Sequence, residues 1–247
     1  MTAAPTTTPP LRRVLLLSNS TQPGRGYLDH AEAAIVRHLR SAKTIGFVPY
    51  ALHDRAGYAA KARDRFAALN VELVSLHDDA QPTRVVDRVD ALFIGGGNTF
   101  RLLDELERQR LLAPIRARVA AGMPYLGASA GSNVACRTIQ TTNDMPIVQP
   151  QSFTALALLP FNLNPHYLDP PLVQPGAPPH MGETREQRIR EFHEMNSAPV
   201  IGLREGAWLD ADGTRLTLAG ETGARLFRRD QPPQEFAPGA DLSFLLG

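Results

Sequence analysis

Short apolar runs alternate with amphipathic stretches along the first half of the chain, and this alternation constrains the fold more than any other feature. The runs recur roughly every 25–30 residues, and the stretches between them carry apolar residues at helical spacing. Alternating strands and helices of this kind form a mostly parallel sheet that is covered by helices on both faces. The predicted strands cover residues 14–17, 45–49, 71–76, 91–94 and 124–127, and the predicted helices cover 27–42, 56–69, 83–89 and 99–121.

The alternation stops between residues 139 and 181, which are rich in proline, asparagine and glutamine. Proline disfavours regular elements, and a loop of this length in a compact domain is usually functional or disordered. Order returns with a predicted helix over 184–195 and a predicted strand over 200–203, and a β meander is predicted from 207 to 227. We therefore predict a disordered tail over residues 1–10 and a single domain over 11–247.

Charge, cysteine content and hydropathy exclude several classes of function. The 26 basic and 25 acidic residues leave a net charge of +1, so no overall charge favours nucleic acid or an anionic membrane. The single cysteine, Cys136, excludes an internal disulfide, and no spacing of His, Cys or carboxylates suggests a metal site. A helix needs about 18 consecutive apolar residues to span a bilayer, and no apolar run approaches that length. Residues 1–10 do not have the pattern of a secretory signal. We expect a cytoplasmic protein without metal, cofactor, nucleic-acid or membrane partner.

The segment Gly127-Ala-Ser129-Ala-Gly131 follows a predicted strand directly and precedes a predicted helix. In a strand-to-helix elbow the central residue adopts a strained conformation, and small neighbours leave room for the turn. Such a turn exposes the serine hydroxyl beside the free N–H groups of the helix start. The segment therefore predicts that Ser129 is a nucleophile, although a tight packing turn with an incidental serine would have the same pattern.

A serine nucleophile needs a base and an acid that orients the base. Among seven histidines, His166 lies in the irregular stretch after the serine, where a catalytic loop is expected. His38 and His193 fall within predicted helices and are expected at the surface. Asp144 lies between Ser129 and His166 in the chain and is a candidate acid, although its Asn-Asp-Met-Pro context is equally typical of a turn.

Two further segments carry polar groups at the ends of predicted elements. Gly95-Gly-Gly97-Asn98 follows a strand but lacks the residues of a nucleotide-binding loop, so we expect the N–H groups of Gly97 and Ala130 to form an oxyanion hole. Arg185 lies at the start of the predicted helix over 184–195. It is either part of a solvated helix end or a bidentate ligand for a substrate carboxylate.

Six segments, in order along the chain, resemble the S51 serine peptidases, the family of peptidase E and the α-aspartyl dipeptidases. The resemblance extends from residue 15 to about residue 208. The matching segments are Leu15-Leu-Leu-Ser-Asn-Ser-Thr21, Ile94-Gly-Gly-Gly-Asn-Thr-Phe100, Ser129-Ala-Gly131 with Asn133-Val-Ala-Cys136, Thr141-Thr-Asn-Asp-Met-Pro-Ile-Val148, Asn164-Pro-His166 and Gly182-Glu-Thr-Arg-Glu-Gln-Arg-Ile-Arg190.

The resemblance implies a flavodoxin-like fold similar to class I glutamine amidotransferases, and hydrolysis of dipeptides and some short peptides with N-terminal aspartate. It assigns the nucleophile to Ser129, the base to His166 and the acid to Asp144, with Glu205 as the alternative acid. It also assigns substrate binding to Arg185 and Asn98, and it implies a homodimer. The proline-rich segment over 169–179 looks longer than is usual in the family.

Two other functions stay open at this point. A cyanophycinase-like hydrolase of β-aspartyl-arginine would need acidic groups near the site, and no such cluster is evident in the sequence. A non-catalytic module that binds aspartyl peptides would be favoured by loss of Ser129 or His166, and both residues are present.

Overall fold

A computed structural model describes residues 12–170 and 182–247 of the chain. The predicted tail over 1–10 and most of the proline-rich segment over 169–179 lie outside the described residues. The strands of the described residues are β1 (Arg13–Leu17), β2 (Thr44–Val48), β3 (Glu72–Ser75), β4 (Ala91–Ile94), β5 (Tyr125–Ala128), β6 (Asn162–Pro165), β7 (Val200–Leu203), β8 (Ala207–Asp212), β9 (Arg215–Gly220), β10 (Ala224–Phe227) and β11 (Gln234–Phe236).

Seven of these strands form the main sheet in the order β3-β2-β4-β5-β1-β8-β9. Strands β1 to β5 are parallel to one another, and the β8–β9 hairpin extends the sheet antiparallel to β1. A second sheet has the order β11-β10-β7-β6, in which β6 and β7 are parallel. The mostly parallel sheet is confirmed, whereas the predicted C-terminal meander is divided between the two sheets, because β10 pairs with β7 and not with β9.

The helices cover both faces of the main sheet, as the alternation of strands and helices predicts. Because successive strand residues point to opposite faces, Val14 and Leu16 pack in one apolar cluster while Leu15 and Leu17 pack in another. The helices are α1 (Glu32–Leu39), α2 (Arg55–Ala67), α3 (Pro82–Arg88), α4 (Thr99–Arg108), α5 (Leu112–Ala120), α6 (Ala130–Ala135) and α7 (Arg185–Met195). The first cluster includes side chains of α3, α4, α5 and α6, and the second includes side chains of α1 and α2.

Two predicted elements differ from the structure. The single helix predicted over 99–121 is two helices, α4 and α5, which are separated at Arg110 by a left-handed backbone conformation with φ of 54°. Pro114 explains the break, because proline has no N–H and is tolerated only in the first turn of a helix, here that of α5. The irregular stretch over 139–181 contains β6, whose four residues are all buried. No helix in the described parts of the chain has both the length and the apolar character needed to cross a membrane.

His38 and His193 are buried, each 7% exposed, and the prediction that they lie at the surface is wrong. Each ring donates a hydrogen bond from Nε2 to a backbone carbonyl, that of Tyr125 for His38 and that of Ala198 for His193, both at 3.0 Å. Both residues occupy the inner faces of their helices, which periodicity alone does not distinguish for an amphipathic side chain such as histidine. Neither ring is available as a catalytic base.

We expect His38 to make the protein less stable in mild acid. Burial, with the nearby charges of Arg13 and Arg40, lowers the pKa of His38 to about 3, although the hydrogen bond to the Tyr125 carbonyl opposes the shift. Below the usual value of 6.5 the unfolded chain binds a proton that the folded chain does not, so the free energy of unfolding falls as pH falls. The slope is about 1.4 kcal/mol per pH unit, which gives a loss of about 2 kcal/mol from pH 6.5 to pH 5.

Urea unfolding of the wild type and of His38→Gln at pH 7 and pH 5 measures this contribution. Glutamine keeps a side-chain N–H for the Tyr125 carbonyl but does not titrate, so the variant is expected to lose about 2 kcal/mol less than the wild type on acidification. Equal losses in the two proteins would contradict the assignment.

Candidate active site

The carboxyl ends of five parallel strands converge on one region of the molecule. Ser18 follows β1, Gly95 follows β4, Ser129 follows β5 and His166 follows β6, while Glu205 lies two residues after β7. In open parallel sheets ligands bind beyond the carboxyl ends of the strands, because loops from several strands meet there. The site therefore draws on both sheets, with Ser129 from the main sheet and His166 and Glu205 from the second.

Ser129 occupies the predicted elbow between β5 and α6. Its backbone has φ of 52° and ψ of −110°, and its N–H donates to the carbonyl of Leu17 at 3.1 Å. The flanking glycines leave room for this turn, because a Cβ on Gly131 would lie 1.9 Å from the carbonyl oxygen of Ile94 and one on Gly127 would lie 2.6 Å from that of Gly131. The local sequence therefore explains both the strained backbone and the exposed position of the serine hydroxyl.

A continuous hydrogen-bonded row joins Ser129, His166 and Glu205. The Oγ of Ser129 lies 2.9 Å from Nε2 of His166, and Nδ1 of the same ring lies 2.6 Å from Oε1 of Glu205. With the Nδ1 proton donated to the carboxylate, Nε2 is free to accept the proton of the serine hydroxyl. A hydroxyl, an imidazole and a carboxylate in this arrangement are the groups that nucleophilic acyl transfer requires.

Hydrogen bonds between side-chain hydroxyls and the backbone hold His166 and Glu205 in position. The N–H of His166 donates to Oγ of Ser18 at 2.9 Å, and this hydroxyl donates to the carbonyl of Leu203 at 2.8 Å. The carbonyl of Glu205 accepts from Oγ1 of Thr222 at 2.6 Å. His166 itself has φ of 53°, which aims its ring across the boundary between the sheets. The sequence analysis missed the role of Ser18, although its position directly after a buried strand is a signal that could have identified it.

Asp144, the first acid considered from the sequence, is not brought to His166. Its Oδ2 accepts from the N–H of Thr99 at 2.7 Å, from Oγ1 of Thr99 at 2.5 Å and from Oγ1 of Thr142 at 3.1 Å. These bonds attach the segment that contains Asp144 to the start of α4. The loop after β7 instead brings the carboxylate of Glu205 to Nδ1 of His166. The structure thus brings the alternative acid to the histidine.

The two N–H groups expected to bind an oxyanion belong to the loop after β4, which carries Gly97, and to the elbow after β5, which carries Ala130. A Cβ built on Gly96 would be 3.0 Å from Cβ of Ser129, which shows how closely the glycine loop approaches the elbow. Gly97 has φ of 135°, a conformation that L side chains rarely adopt. Within the described residues, the N–H groups of Gly97 and Ala130 have no protein acceptor. Both are therefore available to a ligand atom beside the serine.

Neither Asn98 nor Arg185 is among the described residues that line the cavity beside Ser129. The side chain of Asn98 accepts from the N–H of Arg101 at 3.0 Å and donates to the carbonyl of Met145 at 2.8 Å, so it caps α4 and anchors the neighbouring loop. Arg185 is the first residue of α7 and is half-buried. Burial and the neighbouring charge of Arg188 lower the pKa of Arg185, whereas the carboxylates of Asp144 and Glu183 oppose this shift.

A cavity of about 650 Å³ opens in front of Ser129, a volume typical of sites for small ligands. Its charged or titratable lining groups are Asp54, Lys61, Asp144 and His166. One wall is formed by Tyr58, whose hydroxyl accepts from the N–H of Gly96 at 2.8 Å. In the parts of the chain that the structure describes, no group of three or more His, Cys or acidic residues could hold a metal ion.

Known proteins that resemble this chain in sequence share one family description. The model of a family described as Peptidase family S51 matches residues 14–219. A protein of Streptomyces coelicolor named Peptidase E is 52% identical over 233 residues, which cover 94% of this chain and 94% of the relative. A protein of Drosophila melanogaster named Probable alpha-aspartyl dipeptidase is 48% identical over 238 residues, which cover 95% of this chain and 98% of the relative.

The fold also has a counterpart among solved structures. The crystal structure of a peptidase from an acI-B1 Actinobacterium superposes with a TM-score of 0.71 at 16% sequence identity, and the match covers 95% of this chain and 98% of that one. At this identity the likeness concerns the fold alone. It agrees with a mixed, mostly parallel sheet that is flanked by helices.

Proposed function

The chain belongs to peptidase family S51, and from this membership we propose that it hydrolyses dipeptides with an N-terminal aspartate through Ser129, His166 and Glu205. The observation that carries the proposal is the row of hydrogen bonds from Oγ of Ser129 through the imidazole of His166 to Oε1 of Glu205. The name of the Drosophila relative supports the choice of an aspartyl dipeptide as substrate.

The reaction begins when Nε2 of His166 accepts the proton of the Ser129 hydroxyl as Oγ attacks the scissile carbonyl carbon. Glu205 holds the imidazole in the required tautomer and stabilises the imidazolium that forms. The developing oxyanion is positioned to accept hydrogen bonds from Gly97 and Ala130, and one such donor typically contributes about 3–4 kcal/mol to stabilisation of the transition state.

His166 then gives the proton to the departing amine, and the peptide C–N bond breaks. A water molecule, deprotonated by the same ring, attacks the acyl-enzyme, so that aspartate leaves and the Ser129 hydroxyl is restored. We assign recognition of the substrate's β-carboxylate to Arg185, since a guanidinium binds a carboxylate through two parallel hydrogen bonds. Asn98 contributes indirectly by holding the loop that contains Asp144.

The experiment that tests the proposal is hydrolysis of four dipeptides by the wild-type protein. Asp-Leu is expected to be cleaved, and Asn-Leu and Leu-Leu at least about 100-fold more slowly, because Arg185 would be left without its charged partner. Comparable turnover of Asp-Leu and Leu-Leu would contradict the role of Arg185. Turnover of β-Asp-Arg alone would favour a cyanophycinase-like activity, and binding of Asp-Leu without turnover would favour a binding module.

We also propose a cytoplasmic homodimer. Light scattering of the purified protein measures the mass in solution, and a mass near 26.9 kDa would contradict the dimer.

A further inference from the structure

Asn19 is a buried asparagine that joins the loop after β1 to the loop after β7. Its side-chain Oδ1 accepts from the N–H of Gly206 at 2.9 Å, between residues that lie 187 positions apart in the chain. Its Nδ2 donates to the carbonyl of Thr21 at 2.8 Å. Because Gly206 supplies a donor and Thr21 an acceptor, only one orientation of the amide satisfies both. Asn19 is 2% exposed, so water does not compete for these bonds.

Gly206 directly follows Glu205, whose carboxylate has little else to fix its position. Within the described residues, the hydrogen bond to Nδ1 of His166 is the only polar contact of this carboxylate, and the side chain is half-exposed. A glutamate in such surroundings adopts several rotamers unless its backbone holds it in place. The bond from Gly206 to Asn19 therefore fixes the chain immediately after the acid.

The residue before Asn19 holds the base. Oγ of Ser18 accepts from the N–H of His166 at 2.9 Å and donates to the carbonyl of Leu203 at 2.8 Å. Consecutive Cα atoms lie about 3.8 Å apart across a trans peptide, so the anchors at Ser18 and Asn19 cannot move independently. One dipeptide at the end of a buried strand thus sets the position of the histidine relative to the loop that carries the acid.

We infer that Asn19 is a positioning residue for the reaction, which keeps the carboxylate of Glu205 against the imidazole of His166. The inference rests on the proposed function, in which Glu205 orients the base. Asn19 contacts neither side chain, so it acts through the backbone of Gly206. It lies in the segment over 15–21, one of the six that resemble the S51 peptidases, and that segment thereby acquires a role in catalysis.

A double-mutant cycle on kcat for Asp-Leu separates this role from a purely structural one. In Asn19→Ala, kcat is expected to fall about 10- to 100-fold with KM within about 3-fold, because a small displacement of a catalytic group is costly. In the Glu205→Gln background the same substitution is expected to change kcat by less than about 3-fold, since the acid that Asn19 positions is already missing. Asn19→Asp keeps an oxygen for the N–H of Gly206 and is expected to recover most of the activity.

The matched control is Asn162→Ala. Asn162 is also a fully buried asparagine, and its amide forms two hydrogen bonds with Thr138, away from Glu205. Its effect on kcat is expected to be the same with Glu205 present or replaced, because the two sites are independent. An equal fall in kcat on Asn19→Ala in both backgrounds would overturn the inference, as would a fall that Asn19→Asp does not recover.

The same cycle is measured with the rate at which a fluorophosphonate labels Ser129, which requires an activated serine but no aspartyl substrate. Loss of labelling in Asn19→Ala that depends on Glu205 is expected. If this dependence were found without any cleavage of Asp-Leu, the proposed substrate would be rejected and the inference supported. If Asp-Leu were cleaved but the two substitutions acted independently on labelling, the inference alone would fail.

Discussion

Replacement of Ser129 by alanine is expected to reduce kcat for Asp-Leu by about 10⁴–10⁶-fold, because no other group in the row can form the acyl-enzyme. The variant keeps the fold, since the serine side chain supplies none of the backbone hydrogen bonds of the elbow and alanine is smaller. Residual turnover reflects only the oxyanion donors and substrate binding. Release of free aspartate, followed at saturating Asp-Leu, measures the effect.

The neighbouring serine supplies a matched control. Ser132 is buried on α6, and its Oγ donates to the carbonyl of Leu17 at 2.7 Å, away from the imidazole. Ser132→Ala is expected to lose about 1 kcal/mol of stability and to keep most of the activity. A fluorophosphonate should label the wild type and Ser132→Ala but not Ser129→Ala. Activity above about 1% in Ser129→Ala would show that the nucleophile is another group.

The second large effect is expected for Glu205→Gln. The neutral amide does not accept the Nδ1 hydrogen bond as a carboxylate does, and it leaves the positive charge of the imidazolium in the transition state without a counter-charge. We therefore expect kcat to fall by about 10²–10⁴-fold, with KM little changed. The pair is partly exposed to solvent, with side-chain exposures of 40% for His166 and 47% for Glu205. Solvent screening therefore favours the lower half of that range.

Glu205→Gln must be compared with Asp144→Asn on Asp-Leu, because these two carboxylates are the candidate acids. If Asp144→Asn reduced kcat by about 10²-fold or more and Glu205→Gln left kcat unchanged, Asp144 would be the orienting acid and the geometry around His166 would have to change on substrate binding.

The parts of the site that can be predicted from sequence are those decided by local structure. The elbow around Ser129 depends on five consecutive residues, since the strand, the flanking glycines and the helix start are all neighbours in the chain. The two expected oxyanion donors follow from the same reasoning, because each lies within three residues of the end of a buried strand. The same holds for the parallel sheet, whose apolar runs are continuous.

The choice between Asp144 and Glu205 as the acid could not be made from the local sequence around either residue. It depends on which of two segments, one after α6 and one after β7, meets the imidazole, and these segments lie far apart in the chain. Strand β6 could not be predicted from the sequence for a related reason. Two of its four residues are asparagines, and the side chain of Asn164 donates to the carbonyl of Thr141 and to Oδ1 of Asn143. A buried strand whose polar side chains form tertiary hydrogen bonds shows no apolar pattern.

Ser129 follows a strand of the main sheet, whereas His166 and Glu205 follow strands of the second sheet. Enzyme activity therefore requires that the two sheets stay packed together. Ser18 and Asn19, which follow β1, bridge to the second sheet through the carbonyl of Leu203 and the N–H of Gly206. Partial separation of the two sheets would break the row of hydrogen bonds from Ser129 to Glu205, while the strands within each sheet stayed paired. Such partial opening costs less free energy than complete unfolding. Turnover should therefore fail at a lower urea concentration than the fluorescence of Trp208, the single tryptophan, which lies on β8 within the main sheet.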